Sequence, residues 1–232
     1  MKTIFVNTDF SHIIKQNCAL NVVPLPHFDK LDAPVSAHAD MLIFVLDNKI
    51  FLYEEYYLIN KNIFDNALNS NYEIVLIKKK CQKNYPNDVA LNVLRVGNTI
   101  FSSLNNTAEE ILSYAKSKGY KLVNVNQGYS ACSTLVLDER TAITADKGIY
   151  QALVKNGKDA LLIEEGGIAL QGYDYGFIGG ASFVVDDTVY FMGNIEKHPS
   201  YTKIKEKTEF LKMKIFSISP NDVFDFGGVI GI

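Results

Sequence analysis

Cys132, His38, Asp40 and Asp88 are the residues of this chain whose types could carry out covalent chemistry together. A Cys supplies a thiolate that adds to an electrophilic carbon, a His moves protons on and off the reacting nitrogens, and carboxylates hold a planar cation through paired hydrogen bonds. Together these demands suit attack on an amidine carbon. His38 and Asp40 stand two apart in Ala37-His38-Ala39-Asp40, and Asp88 follows Asn87 in Tyr85-Pro86-Asn87-Asp88. Cys132 lies in Gln127-Gly128-Tyr129-Ser130-Ala131-Cys132-Ser133. A protonated His nearby would favour the thiolate. Each residue also has a plainer reading. A lone Cys opening an apolar strand serves as a small buried hydrophobe. His38 can bridge backbone groups at a turn, and Asp88, which recurs as Asp222 in a second Pro-Asn-Asp-Val, can be a turn former.

These residues are far apart in sequence, so a fold must assemble them. Four stretches share one order of events. Residues 41–46 and 49–53 are β-prone runs joined at Asp47-Asn48, and residues 91–96 and 99–101 are joined at Gly97-Asn98. Residues 133–137 and 141–144 flank Asp138-Glu139, and residues 182–185 and 188–192 flank Asp186-Asp187. Each pair reads as a hairpin. Equivalent positions recur every roughly 42–50 residues, the range of repeat architectures. A helical pattern follows each hairpin: residues 55–68, a stretch from Thr107 to a stop at Gly119, residues 146–156, and residues 201–211. Thr107 and Glu110 have capping-box spacing, and Asp146 is the cap of the third helix. A closing strand is expected at 73–77, 121–125, 159–163 and 214–218, where short apolar runs fit burial on both faces.

The termini supply a fifth unit. The N-terminus reads strand (3–6), helix (11–18), strand (20–23), and lacks only a first strand. Residues 224–230 provide one, which removes an open sheet edge. In such a ring, equivalent positions face one central space. His38 and Asp40 precede one unit, Asn87 and Asp88 the next, and Cys132 opens the third. Gly179, Gly180 and Ser182 sit at the fourth, and Asp225 starts the fifth. Cys132 and His38 are the expected catalytic pair. Asp40, Asp88, Asn87, Ser182 and Gly180 are the expected substrate contacts.

Five ββαβ units around a pseudo-fivefold axis, the last closed by both termini, resemble the pentein fold of guanidine-modifying enzymes. That superfamily includes arginine deiminases, dimethylarginine hydrolases, agmatine deiminases and amidinotransferases. The motifs above, with Ile143-Thr144-Ala145-Asp146 and Tyr175-Gly176-Phe177-Ile178-Gly179-Gly180-Ala181-Ser182, are similar to those of an uncharacterised clostridial-type family with this fold. The likeness covers nearly the whole chain. It implies an α/β pentein-type β/α propeller forming one domain over residues 1–232. The enzymes use a Cys nucleophile, a His in His-x-Asp or His-x-Glu, and carboxylates that grip the guanidinium. His38-Ala39-Asp40 is similar to the His element and Cys132 to the nucleophile. Cys132 is mid-chain, however, where the enzymes place their Cys near the C-terminus after a Gly-rich run ending in His-Cys. The implied activity is a cysteine-dependent guanidine- or amidine-modifying hydrolase or transferase. The alternative is a non-catalytic binding protein on the same fold.

Composition narrows the remaining classes. The 232 residues include 47% hydrophobic and 21% charged side chains, with a net charge of −3. The one basic run is Lys78-Lys79-Lys80, and a nucleic-acid binder normally shows a larger basic face. No stretch approaches the roughly 18 apolar residues of a membrane span, and the apolar N-terminal run is too short for a signal peptide. Cys18, Cys81 and Cys132 are widely spaced and form no CxxC, so neither a zinc site nor a disulfide framework is expected. The expected setting is the cytoplasm, with a small guanidine or amidine ligand and no metal, cofactor, membrane or nucleic-acid partner.

Overall fold

The structure, a computed structural model, describes every residue except Met1 and Asn69. Its strands form five three-stranded sheets. In the first unit, Ile43–Leu46 pairs antiparallel with Lys49–Tyr53, the helix Glu54–Ala67 crosses over, and Glu73–Ile77 returns parallel to the middle strand. Leu94–Val96, Thr99–Ser102, helix Glu109–Ser117 and Lys121–Asn124 repeat this order. So do Thr134–Val136, Thr141–Thr144, helix Lys147–Lys155 and Asp159–Leu162. The fourth unit is Ser182–Val185, Thr188–Phe191, helix Tyr201–Phe210 and Lys214–Ser217. Parallel neighbours require such a crossover, whereas the antiparallel pairs need only a short turn. Asp47, Gly97 and Asp186 make three of those turns with φ of 53°, 58° and 52°, a region that Gly enters freely and Asp tolerates.

The fifth sheet joins the two ends of the chain. Val229–Gly231 runs antiparallel to Thr3–Asn7, which pairs in parallel with Asn21–Leu25 after the helix Ser11–Asn17. The chain therefore consists of five ββαβ units around a pseudo-fivefold axis, the last completed by both termini. Phe226, just before the final strand, is fully buried and packs edge-on against Phe183 and Phe10. Deleting residues 226–232 is expected to lower the melting temperature by about 5 °C or more. It removes buried side chains worth about 1.5–3 kcal/mol each and unpairs one edge of Thr3–Asn7. A truncated protein that melts with the parent would contradict the closure as a source of stability.

Several expectations need correction. The closing strands are half-exposed outer strands, and burial is greatest in the middle strands such as Thr99–Ser102 and Thr141–Thr144. Each sheet has two edge strands: the first lies towards the ring centre and the third lies outside. Thr107 does not cap its helix: its hydroxyl bonds Ser102 and the Ser103 carbonyl, and Ala108 holds the N-cap position without a side-chain bond. Asp146 does cap, accepting from the Ile149 N–H at 2.7 Å. Met41 and Leu42 belong to a four-residue helical turn, Ala39–Leu42, and residues 91–93 precede the strand that begins at Leu94. Residues 224–228 are likewise not strand, because Gly227 and Gly228 (φ 86° and 62°) turn the chain at the ring centre.

Candidate active site

The five segments that precede the first strands meet at the centre, and backbone bonds lace them together. Asp40 N–H donates to the Gly227 carbonyl, Gly180 N–H to Cys132, and Phe226 and Gly228 N–H both to Gly180. Asn92 is the main polar anchor. It is buried, its Oδ1 accepts from the Ala131 and Cys132 N–H groups at 2.8 and 3.3 Å, and its Nδ2 donates to the Asp40 carbonyl at 3.2 Å. Ser130, also fully buried, bonds the Asn92 carbonyl and the Leu94 N–H. These bonds fix the short turn that presents Cys132.

The Cys132 thiol donates to Asp40 Oδ2 at 2.8 Å and accepts from Asn92 Nδ2 at 2.9 Å. Among the described residues these are its polar partners, and His38 is not one of them. His38 instead turns Nδ1 towards Asp225, 3.8 Å from Oδ1. Asp225 Oδ1 accepts from the Gly227 N–H at 3.0 Å and Oδ2 from the Phe177 N–H at 2.9 Å. Glycine is required twice around this carboxylate. A Cβ on Gly180 would stand 2.1 Å from Asp225 Oδ1, and one on Gly227 would stand 2.3 Å from three atoms of His38.

Cys132, His38, Met41 and Asp225 form the buried end of a cavity of about 240 Å³. Tyr129, Tyr173, Tyr175 and Phe177 wall it, and Asp174 stands at its exposed rim. Tyr129 is held by a 2.6 Å bond from its hydroxyl to Asp88 Oδ2.

Burial governs the ionisation of the group. It pushes the Cys132 thiol well above its ordinary range, and the charges of Asp40 and Asp225 add to that, with Asn92 opposing. The thiol is therefore protonated at rest, as its bond to Asp40 requires. Burial lowers His38 to about 3, so its imidazole is neutral. Asp225 is raised to about 6 by burial, against two backbone N–H donors. Asp40 is raised well above its ordinary value, by burial and then by the charge of Asp225. A buried carboxylate pair of this kind favours protonation of one member.

The expected contacts divide. Cys132 and His38 do line one cavity. Asp40 lies apart from it: its Oδ2 is taken by the thiol, and its side chain borders a separate cavity of about 480 Å³ with Thr134, Gly179 and Ser182. Ser182 is thus not at the Cys132 pocket, and its hydroxyl is bound to the Ile178 carbonyl at 2.6 Å. Gly180 has its N–H and carbonyl satisfied by backbone, so it shapes the site without polar groups to offer a ligand. Asn87 is exposed, with its backbone closing a turn. Asp88 sits in a turn and also buries a carboxylate that positions Tyr129. Asn92 and the aromatic walls were missed by sequence reasoning. The signal for Asn92 was a polar residue inside the apolar run 89–96, where burial demands hydrogen-bond partners. Among the described residues no group of three His, Cys, Asp or Glu side chains is arranged to hold a metal ion, and no helix is long and apolar enough to cross a membrane.

Comparison with known proteins agrees with this architecture. The model of a family of unknown function, DUF6873, matches residues 6–230. No curated protein matches the chain. Among solved structures, the dimethylarginine dimethylaminohydrolase DDAH from Pseudomonas aeruginosa, a Cys-to-Ser variant complexed with citrulline, is 12% identical with a TM-score of 0.61, covering 100% of this chain and 99% of that one. An amidinotransferase of saxitoxin biosynthesis from Microseira wollei is 11% identical with a TM-score of 0.58, covering 96% and 77%. The C. jejuni agmatine deiminase with substrate bound is 10% identical with a TM-score of 0.57, covering 99% and 92%. At such identities the likeness establishes the fold, which is the pentein fold.

Proposed function

Because this chain belongs to the family of unknown function DUF6873, we propose its activity from the pocket itself: a cysteine-dependent hydrolase or transferase that acts on a guanidine or amidine. The observation that carries this reading is the cavity in which a thiol, a neutral imidazole and a buried carboxylate meet behind aromatic walls. Asp225 binds the planar cation through charge-assisted hydrogen bonds, between walls to which Tyr129 and Phe177 contribute. The solved structures of this fold named above are a dimethylarginine dimethylaminohydrolase, an amidinotransferase and an agmatine deiminase.

The cation also solves the problem of the inert thiol. Burial first, and then the charges of Asp40 and Asp225, hold the Cys132 pKa up; a bound cation offsets the carboxylate charges and places a positive charge beside the buried sulfur, so binding favours the thiolate. The same cation offsets the Asp225 charge that helps to raise Asp40, so Asp40 is ionised in the complex. As sulfur bonds to the amidine carbon and the C=N electron pair moves to nitrogen, the thiol proton passes through Asp40 to the departing nitrogen, and the C–N bond breaks with a neutral amine leaving. Water, or an acceptor amine in a transferase, then adds to the S-linked carbon and gives a proton to the neutral His38. The C–S bond breaks, its electron pair returns to sulfur, the remaining proton of the added group passes through Asp40 to the thiolate, and His38 releases its proton to the departed amine or to water.

Binding should depend on pH with a defined sign. A guanidinium remains charged throughout the accessible range, whereas Asp225 titrates at about 6. Affinity for butylguanidine is expected to fall about tenfold per unit as pH drops below that value, and to level off above it. Calorimetric titration between pH 4.5 and 8 measures this. A flat profile would count against Asp225 as the binding carboxylate.

The hydrogen bonds of Cys132 to Asp40 and Asn92, rather than to His38, favour one other reading, a non-catalytic protein that binds the same cations. A Cys132→Ser protein that retains full cellular function would support it.

A further inference from the structure

We propose that the Cys132 pocket takes a guanidine or amidine that carries a second positive charge at its far end and no carboxylate, with Asp174 selecting for it. This rests on the guanidine reading above and specifies its substrate class.

Among the described residues, every charged side chain lining the pocket is acidic. Asp225 lies at the buried end and Asp174 at the exposed rim. The remaining titratable groups facing the interior are the neutral His38, the protonated Cys132 and the tyrosines. The field around the mouth has the same sign. The Tyr173 hydroxyl donates to Asp32 Oδ2 at 3.2 Å, and the Tyr175 hydroxyl donates to Glu165. Asp88, behind Tyr129, adds another carboxylate. Both arginines of the chain are employed or placed elsewhere: Arg95 pairs with Glu139 and lies over the Tyr120 ring, and Arg140 is in an exposed hairpin turn.

A ligand carboxylate in this mouth would meet like charge with low-dielectric walls on two sides. An ammonium would instead meet Asp174 and the electron-rich rings of Tyr173 and Tyr175 that line the mouth. The two lining carboxylates, one buried and one at the rim, are thus placed for the two ends of a dication. The cavity, about 240 Å³, falls just below the usual range of about 300–1,000 Å³ for ligand pockets, which suits a short alkyl spacer.

The test is a matched series that varies only the terminal group: butylguanidine, 4-guanidinobutylamine and 4-guanidinobutyrate. Dissociation constants are measured by calorimetry at pH 7.5 on the Cys132→Ser protein, in which the covalent step is blocked. The amine is expected to bind at least about tenfold tighter than butylguanidine, and the butyrate at least about tenfold weaker. Raising the salt should narrow the spread, as it screens the exposed rim. Asp174→Asn, at an exposed position that spares the fold, should reduce the amine-to-butyrate affinity ratio at least about threefold. If all three bind and the butyrate equals or exceeds the amine, the substrate class is overturned while the guanidine reading stands. If none binds, both fall. An unchanged ratio in Asp174→Asn overturns the role of that residue.

Discussion

Replacement of Cys132 by serine is expected to lower turnover of a guanidine substrate by on the order of 10³-fold or more, with little change in melting temperature or ligand affinity. Serine nearly matches cysteine in volume and can make the same hydrogen bonds to Asp40 and Asn92. It lacks the one property the chemistry uses, a group whose deprotonated form is accessible once a cation neutralises the site. The small structural cost separates this change from a core mutation. If turnover persists in the serine variant, the nucleophile is elsewhere. If the protein unfolds instead, Cys132 is chiefly a packing residue.

The second large effect belongs to Asp225→Asn. Loss of the charged acceptor should weaken binding of an alkylguanidinium by about 1.5–3 kcal/mol, or roughly 10- to 150-fold, and should abolish the pH dependence of binding near 6. The same change alters stability in a way whose sign follows from linkage. The folded-state pKa of Asp225 is about 6, against an ordinary 3.8. Below 3.8 the carboxyl is protonated in both states and costs nothing. As pH rises from 3.8 through 6 the folded protein loses about 3 kcal/mol, because a buried charge must form. Asparagine carries no such cost, but it leaves one of the Phe177 and Gly227 N–H donors without an oxygen. The variant should therefore compare worst with the parent near pH 4 and improve steadily towards pH 7. Denaturant titrations at several pH values measure the difference, and a constant or worsening gap would contradict a buried, raised carboxyl at this position.

Much of the architecture was legible because the repeat is local. Each hairpin turn, helix and returning strand is specified within one unit, and the tetrapeptide shared by residues 86–89 and 220–223 marked the C-terminal segment as the start of a unit. Convergence of His38, Cys132 and Asp225 followed from that symmetry. What symmetry leaves open is which way each central side chain points. Asp40 follows His38 by two residues, yet the helical turn Ala39–Leu42 sends it to the thiol and to the second cavity. An extended segment would have put both on one face. Ser182 borders that second cavity for the same reason, since equivalence of position in a unit does not decide which cavity a group borders, and Gly180 has its polar groups taken by neighbouring backbone. Apart from Tyr129, the aromatic wall comes from residues 173–177, in a long connection whose course depends on packing against the other segments rather than on its own pattern. Asn92 escaped because it looked like an ordinary strand residue, although a buried amide in an apolar run must be answered by partners.

The central claim is that a cation arriving in the pocket turns an inert thiol into a nucleophile. Its most direct test compares two alkylating agents of nearly equal shape, 2-chloroacetamidine, which is cationic, and the neutral 2-chloroacetamide. Sulfur displaces chloride from either, and mass mapping locates the adduct among Cys18, Cys81 and Cys132, all three of which are buried free thiols. The account predicts that the amidine labels Cys132 at least about 100-fold faster than the amide does, and that butylguanidine protects against it. Equal rates for the two reagents, or modification of Cys18 or Cys81 in preference to Cys132, would contradict it.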